Sequence, residues 1–87
     1  MNYKAIADKI EELIKADIKE KGLIDTGAMY DSIIVTPDDN GDYIISAVDY
    51  FVYVNGNYGI TDDVFASKEL DDFISREYTI YIERELE

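Results

Sequence analysis

Few residues in this chain are equipped for covalent chemistry. It has no His and no Cys, so neither a Ser–His or Cys–His nucleophile nor a thiolate metal site can be built. Carboxylates remain. Asp25 stands in Leu23-Ile24-Asp25-Thr26-Gly27-Ala28, where two apolar residues lead into Asp-Thr-Gly. Two such aspartates, one from each of two chains, could share a proton and activate a water molecule. The same residues also suit a structural corner. Asp25 or Thr26 can cap the backbone donors of a following helical turn, and Gly27 permits a tight bend. A second acidic group, Asp38, Asp39 and Asp42, surrounds Asn40-Gly41. It offers oxygens to Ca²⁺, but the EF-hand spacing and its closing Glu are missing, so an acidic turn is expected. There is no glycine-rich phosphate loop, and no metal or cofactor is expected.

The elements that position these residues follow from periodicity. Residues 2–21 read as an amphipathic helix, with Tyr3, Ile6, Ala7, Ile10, Leu13, Ile14 and Ile18 at helical spacing. Glu11–Lys15 and Asp17–Lys21 place acid before base at i,i+4 on the opposite face. Gly22 falls where a left-handed C-cap belongs. A short helical turn through Met29, Tyr30 and Asp31 is expected next, with Met29 and Ile33 pointing into the core and Ser32 closing the turn onto a strand at 32–36. Residues 37–42 are the clearest turn. A two-residue Asn40-Gly41 hairpin would set Asp39 against Asp42, a disfavoured like-charge pair, so a longer loop is expected. Residues 43–48 are the returning strand. Residues 50–54, Tyr-Phe-Val-Tyr-Val, read as a third strand, apolar on both faces, followed by a flexible loop at 55–59. Residues 67–86 carry a helical stripe (Leu70, Phe73, Ile74, Tyr78, Tyr81, Ile82), against a rival strand at 78–82. The expected architecture is α+β in a single domain, 1–87: an N-terminal helix, a small antiparallel sheet of about three strands, and a C-terminal helix packed on one face.

Composition narrows the setting. A chain of 87 residues buries only roughly 60–65% of its unfolded surface and draws about 3–5 kcal/mol from its own core. Oligomerisation is the remaining common support, since disulfides are impossible. Eight Tyr, three Phe and 47% apolar residues set it apart from disordered chains. No apolar run approaches a membrane span, and the N-terminus has no signal-peptide pattern. Net charge is -12, unevenly spread. Residues 1–22 hold five Lys and five acids; residues 23–67 hold eight Asp and no Lys or Arg; the rest has three basic and seven acidic residues. Tight nucleic-acid binding needs cations that release phosphate counterions, so that function is disfavoured. A basic protein partner, or a wall that DNA passes without adhering, suits the charge better.

The hexapeptide around Asp25 resembles the catalytic loop of retroviral-type aspartic proteases. That resemblance implies a homodimer with one catalytic Asp per subunit on a tight loop between strands. Here a helix leads into the motif. The apolar-apolar-Gly element that such proteases carry near the C-terminus is missing, because residues 67–87 contain no Gly.

A wider resemblance covers more of the chain. Ile24-Asp25-Thr26-Gly27-Ala28-Met29-Tyr30-Asp31-Ser32-Ile33 resembles the apolar-Asp-Thr-Gly-x-Leu-x-x-Ser-Ile signature of the head–tail joining and tail-completion proteins of long-tailed bacteriophages, with Met29 at the Leu position. Residues 50–56, Tyr-Phe-Val-Tyr-Val-Asn-Gly, look like that family's tyrosine segment. The resemblance implies a non-enzymatic virion structural protein at the head–tail junction or tail terminus. It would form a ring with itself, meet neighbouring connector or tail-tube proteins, and reside in the virion or, during assembly, in the host cytoplasm. It would have no membrane contact and no tight hold on the DNA that passes by. Asp25, Thr26, Gly27, Met29 and Ser32 are then a structural turn, and Tyr50, Tyr53, Asn55, Gly56 and Tyr58 the candidate interface. The loop at 55–61 and the turn at 36–42 are candidate docking elements that order against neighbours. A reading of a different class is an acidic binding protein that mimics DNA or caps a basic partner.

Overall fold

The structure, a computed structural model, describes residues 2–24 and 27–86, with backbone alone for 81–86. Helix α1 (Tyr3–Glu20) begins where the Asn2 side chain accepts the Ala5 amide at 2.9 Å. Ile6, Ala7, Ile10, Ile14 and Ile18 recur at 3–4 residue intervals and are at most 1% exposed, so this one stripe is the spine of the core. Tyr3, at its edge, is exposed instead. The helix stops at Gly22, whose φ of 70° an L side chain rarely adopts. There the Leu23 amide reaches back to the Ile18 carbonyl at 3.0 Å and the Gly22 amide to that of Lys19 at 3.1 Å. Both orphan carbonyls are thereby satisfied and the chain reverses, as in a Schellman stop.

Helix α2 (Ala28–Ser32) is a single turn whose N-cap position is Gly27, at φ 86°. The expected cap residues, Asp25 and Thr26, lie outside the described residues. Strands β1 (Ile34–Pro37) and β2 (Tyr43–Ser46) pair antiparallel, Ile34 opposite Ser46 and Pro37 opposite Tyr43. The connection is the longer loop that charge repulsion favours. Gly41, at φ 85°, donates to the Asp38 carbonyl at 3.4 Å, and the Asp38 amide donates to the Asp42 carbonyl at 2.9 Å. The Asp38 carboxylate accepts the Asn40 and Asp42 amides at 2.7 and 3.1 Å. It is thus spent on the turn itself.

The sheet ends at two strands among the described residues. The expected third strand is helix α3 (Tyr50–Tyr58), and the expected loop after it is that helix's last turn. Phe51 and Val54 are buried while Tyr50, Val52 and Tyr53 are exposed. Two inward side chains three residues apart fit a helix; in a strand, Phe51 would share its face with Tyr53. Packing against Ile60 and Val64 here outweighs the β-preference of a Tyr- and Val-rich run. Gly59, at φ 63°, ends α3 and starts α4 (Ile60–Phe65), which lays Ile60 and Val64 on α1.

Helix α5 (Lys68–Leu86) replaces the rival strand at 78–82. The Ser67 hydroxyl caps it by accepting the Leu70 amide at 3.2 Å, and donates to the Val64 carbonyl at 2.7 Å. Leu70, Phe73 and Ile74 pack on the core, but Tyr78 and Ile80 are exposed. The side chains of Tyr81 and Ile82 lie outside the described set. The helix meets α1 and α4 through its first half, rather than covering a sheet face as expected. The overall class is α+β, dominated by helix.

Candidate interaction surface

The expected structural turn is partly visible. Met29 and Ile33 are buried, at 9% and 1% exposure. The Ser32 hydroxyl donates to the Met29 carbonyl at 2.7 Å and accepts the Val48 amide at 3.1 Å. It therefore bolts α2 to the entry of α3, across the hairpin, rather than simply closing onto β1. On both sides of residues 25–26 the chain is helical, α1 before and α2 after. An aspartic-protease loop would lie between strands.

Two sequence features distant in the chain meet at this corner. A shallow hollow of about 180 Å³ is lined by Leu23, Ile24, Gly27 and Met29 from the turn, and by Val48 and Tyr50 from the start of α3. Tyr50 stacks on Tyr53, ring centroids 6.0 Å apart and planes 23° from parallel, the i,i+3 geometry of one helix face. Both are more than 60% exposed, as is Val52, and Tyr58 and Phe65 are half exposed. The remaining interface candidates divide. Gly56 is an exposed helix position. Asn55 is occupied internally: its Oδ1 accepts the Thr61 amide at 2.8 Å and its Nδ2 donates to the Thr61 hydroxyl at 2.9 Å. Residues 55–61 are thus a clamped helix–helix corner, and the 36–42 turn is likewise held by its own Asp38.

Val48, Val52, Phe65 and Ile45 were not picked out by sequence. They line a second, larger opening of about 370 Å³, with Ala47, Phe51, Asn55 and Thr61. For Val52 the signal was present in the run at 50–54, which is apolar all round. A helix of that kind cannot bury every face in a domain this small.

Five of the described lysines pair with the chain's own acids. Lys4 pairs with Asp8, Lys9 with Glu12 and Glu69, Lys15 with Glu11, and Lys68 with Asp72. Lys21 joins Asp17 to Asp63 of α4, the latter at 2.8 Å, and these carboxylates hold its ammonium above the ordinary value of 10.5. Burial pushes the Tyr43 phenol above its ordinary 10.0, with the charge of Tyr3 adding to it. Among the described residues there is no buried polar or charged side chain and no cluster that could hold a metal ion. Nor is any helix, among those residues, long and apolar enough to cross a membrane. Compared with protein-family models, curated proteins and solved structures, the chain has no match in any of the three.

Proposed function

We propose that this chain is a virion structural protein of a long-tailed bacteriophage or prophage, placed at the head–tail junction or the tail terminus. It acts by docking, not by catalysis. Copies assemble into a closed ring through a heterologous interface, and the ring meets connector or tail-tube proteins. The observation that carries this reading is the set of large apolar side chains that α3 and α4 leave exposed: Tyr50, Val52, Tyr53, Tyr58 and Phe65. A small, strongly acidic domain that leaves this many large apolar side chains exposed on two short helices has surface suited to being covered, and Tyr is the residue type enriched in such interfaces. The Asp-Thr-Gly motif supports it as a corner, since Met29 and Ile33 anchor that corner in the core. The ion-paired lysines and the cation-free stretch at 23–67 suit a wall that DNA slides past.

The test is proteomic and imaging together. Particles purified from cells carrying the gene contain the chain at a stoichiometry of several copies per particle, and negative-stain images of the purified protein at high concentration show rings. Absence from particles refutes the reading. The charge supports a second reading, an acidic protein that occupies a basic or DNA-binding partner. Recovery of a restriction enzyme or nucleoid protein on the bait, with none of the chain in particles, would favour that one.

A further inference from the structure

We propose that the outer edge of β2 is a docking site for an extended, basic segment of another protein, which adds to the hairpin as a third strand. Hydrogen-bond phase comes first. The Val35 amide points away from β2, because it donates to the Glu11 carboxylate at 2.9 Å. Val35 faces Ile45 across the ladder, so that pair is not hydrogen-bonded and Ile45 turns its own N–H and C=O outward. The other end agrees. The Asp38 amide bonds to Asp42, so the next pair, Pro37 with Tyr43, is again outward-facing, which is where Pro does no harm. Tyr43 and Ile45 therefore present backbone donors and acceptors on the edge away from β1.

The two edges of the hairpin are treated differently. Glu11 of α1 takes the Val35 amide on the edge of β1, while among the described residues no side chain hydrogen-bonds to the backbone of Tyr43 or Ile45 on the edge of β2. Beside it lies the 370 Å³ opening, walled by Ile45 and Ala47 on one side and by Phe51, Val52 and Phe65 on the other. An added strand would find main-chain partners at Tyr43 and Ile45 and an apolar trough for every second side chain. Those are the two components of β-augmentation.

Charge selects the occupant. Asp42, Asp49 and Asp62 are exposed, and each adjoins in sequence an edge or trough residue: Tyr43, Val48 and Thr61. No cation lies anywhere in residues 23–67. The ion-paired lysines among the described residues sit on α1, at its C-cap Lys21 and on α5. A second copy of a chain at -12 would bring like charge to this rim; a segment alternating apolar and basic residues brings the complement. This inference stands apart from the virion reading and survives its failure.

The probe is a synthetic peptide alternating valine with lysine, against a control with glutamate in place of lysine, titrated into the full chain. The lysine peptide should bind, slow hydrogen exchange at the Ile45 amide at least tenfold, and weaken with added salt. Val52→Lys changes an exposed position at 75% and leaves the fold intact, so it should weaken binding at least tenfold. Ile45→Pro should do the same with the β1–β2 ladder kept, checked by circular dichroism. No binding of the lysine peptide overturns the proposal. So does equal binding of the glutamate control, or unchanged Ile45 exchange with unchanged affinity in Val52→Lys. Concentration-dependent protection of Ile45 in the protein alone would assign the edge to a second copy and overturn the basic partner.

Discussion

Replacing Glu11 by Ala should cost this domain a large part of its stability, although Glu11 lies on what periodicity marks as the solvent face of α1. Its carboxylate accepts the Val35 amide at 2.9 Å, the tie between helix and strand edge, and lies 3.8 Å from Lys15. A hydrogen bond to a charged acceptor contributes about 1.5–3 kcal/mol. The Glu11 side chain is 29% exposed, so solvent screening brings that to about 1–2 kcal/mol, with roughly 0.3–0.5 more from the Lys15 pair. Against a total of about 3–5 kcal/mol expected for so small a core, this is about a quarter or more. With a urea slope near 1 kcal/mol/M, the midpoint should fall by about 1.3–2.5 M. Glu11→Gln keeps a neutral oxygen for the Val35 amide but loses the Lys15 pair and the charge assistance of the hydrogen bond, so its midpoint should fall by about half as much as that of the Ala variant. Equal midpoints for the two variants would refute the reasoning. So would Val35 hydrogen exchange left unchanged by the Ala substitution, because the amide would then be satisfied by water.

Other outcomes follow from the same geometry. Ile14→Ala, at a fully buried position, should cost about 2–5 kcal/mol and lower the urea midpoint followed by circular dichroism by at least about 2 M, or unfold the chain outright. Gly59→Ala should cost about 1–2 kcal/mol in urea titrations, since the φ of 63° strains any L side chain although no atom crowds the new Cβ. Ser32→Ala removes the acceptor of the solvent-accessible Val48 amide and should cost about 0.5–1.5 kcal/mol, with faster exchange at Val48. Stability should also decline in alkali. The folded state raises Lys21 above 10.5 and Tyr43 above 10.0. Each group's contribution is whole below its unfolded value and is lost as pH rises through the folded one. Lys21→Met and Tyr43→Phe should each flatten the fall measured between about pH 9.5 and 11.

The sequence by itself determined α1, its isoleucine stripe and its glycine stop, because those depend on neighbours within one helical turn. It also determined the longer acidic turn at 38–42, from local repulsion and the freedom of Gly41, and the helical stripe that begins α5. Met29 and Ile33 were legible as core from their spacing. Asp25 and Thr26 lie outside what the structure describes, so their part in the corner stands as the sequence reads it. What only tertiary structure decided is the fate of residues 50–58. Their β-preferring side chains make a helix because Phe51 and Val54 have Ile60 and Val64 to pack on, a relation no local rule contains. From that single change the sheet stops at two strands, the tyrosines stack on a helix, and Asn55 turns inward to Thr61. Glu11 shows the same division. Read along the helix it is half of an exposed ion pair; read in three dimensions it closes one edge of the hairpin. Only long-range contacts show that β1 is capped while β2 is left open.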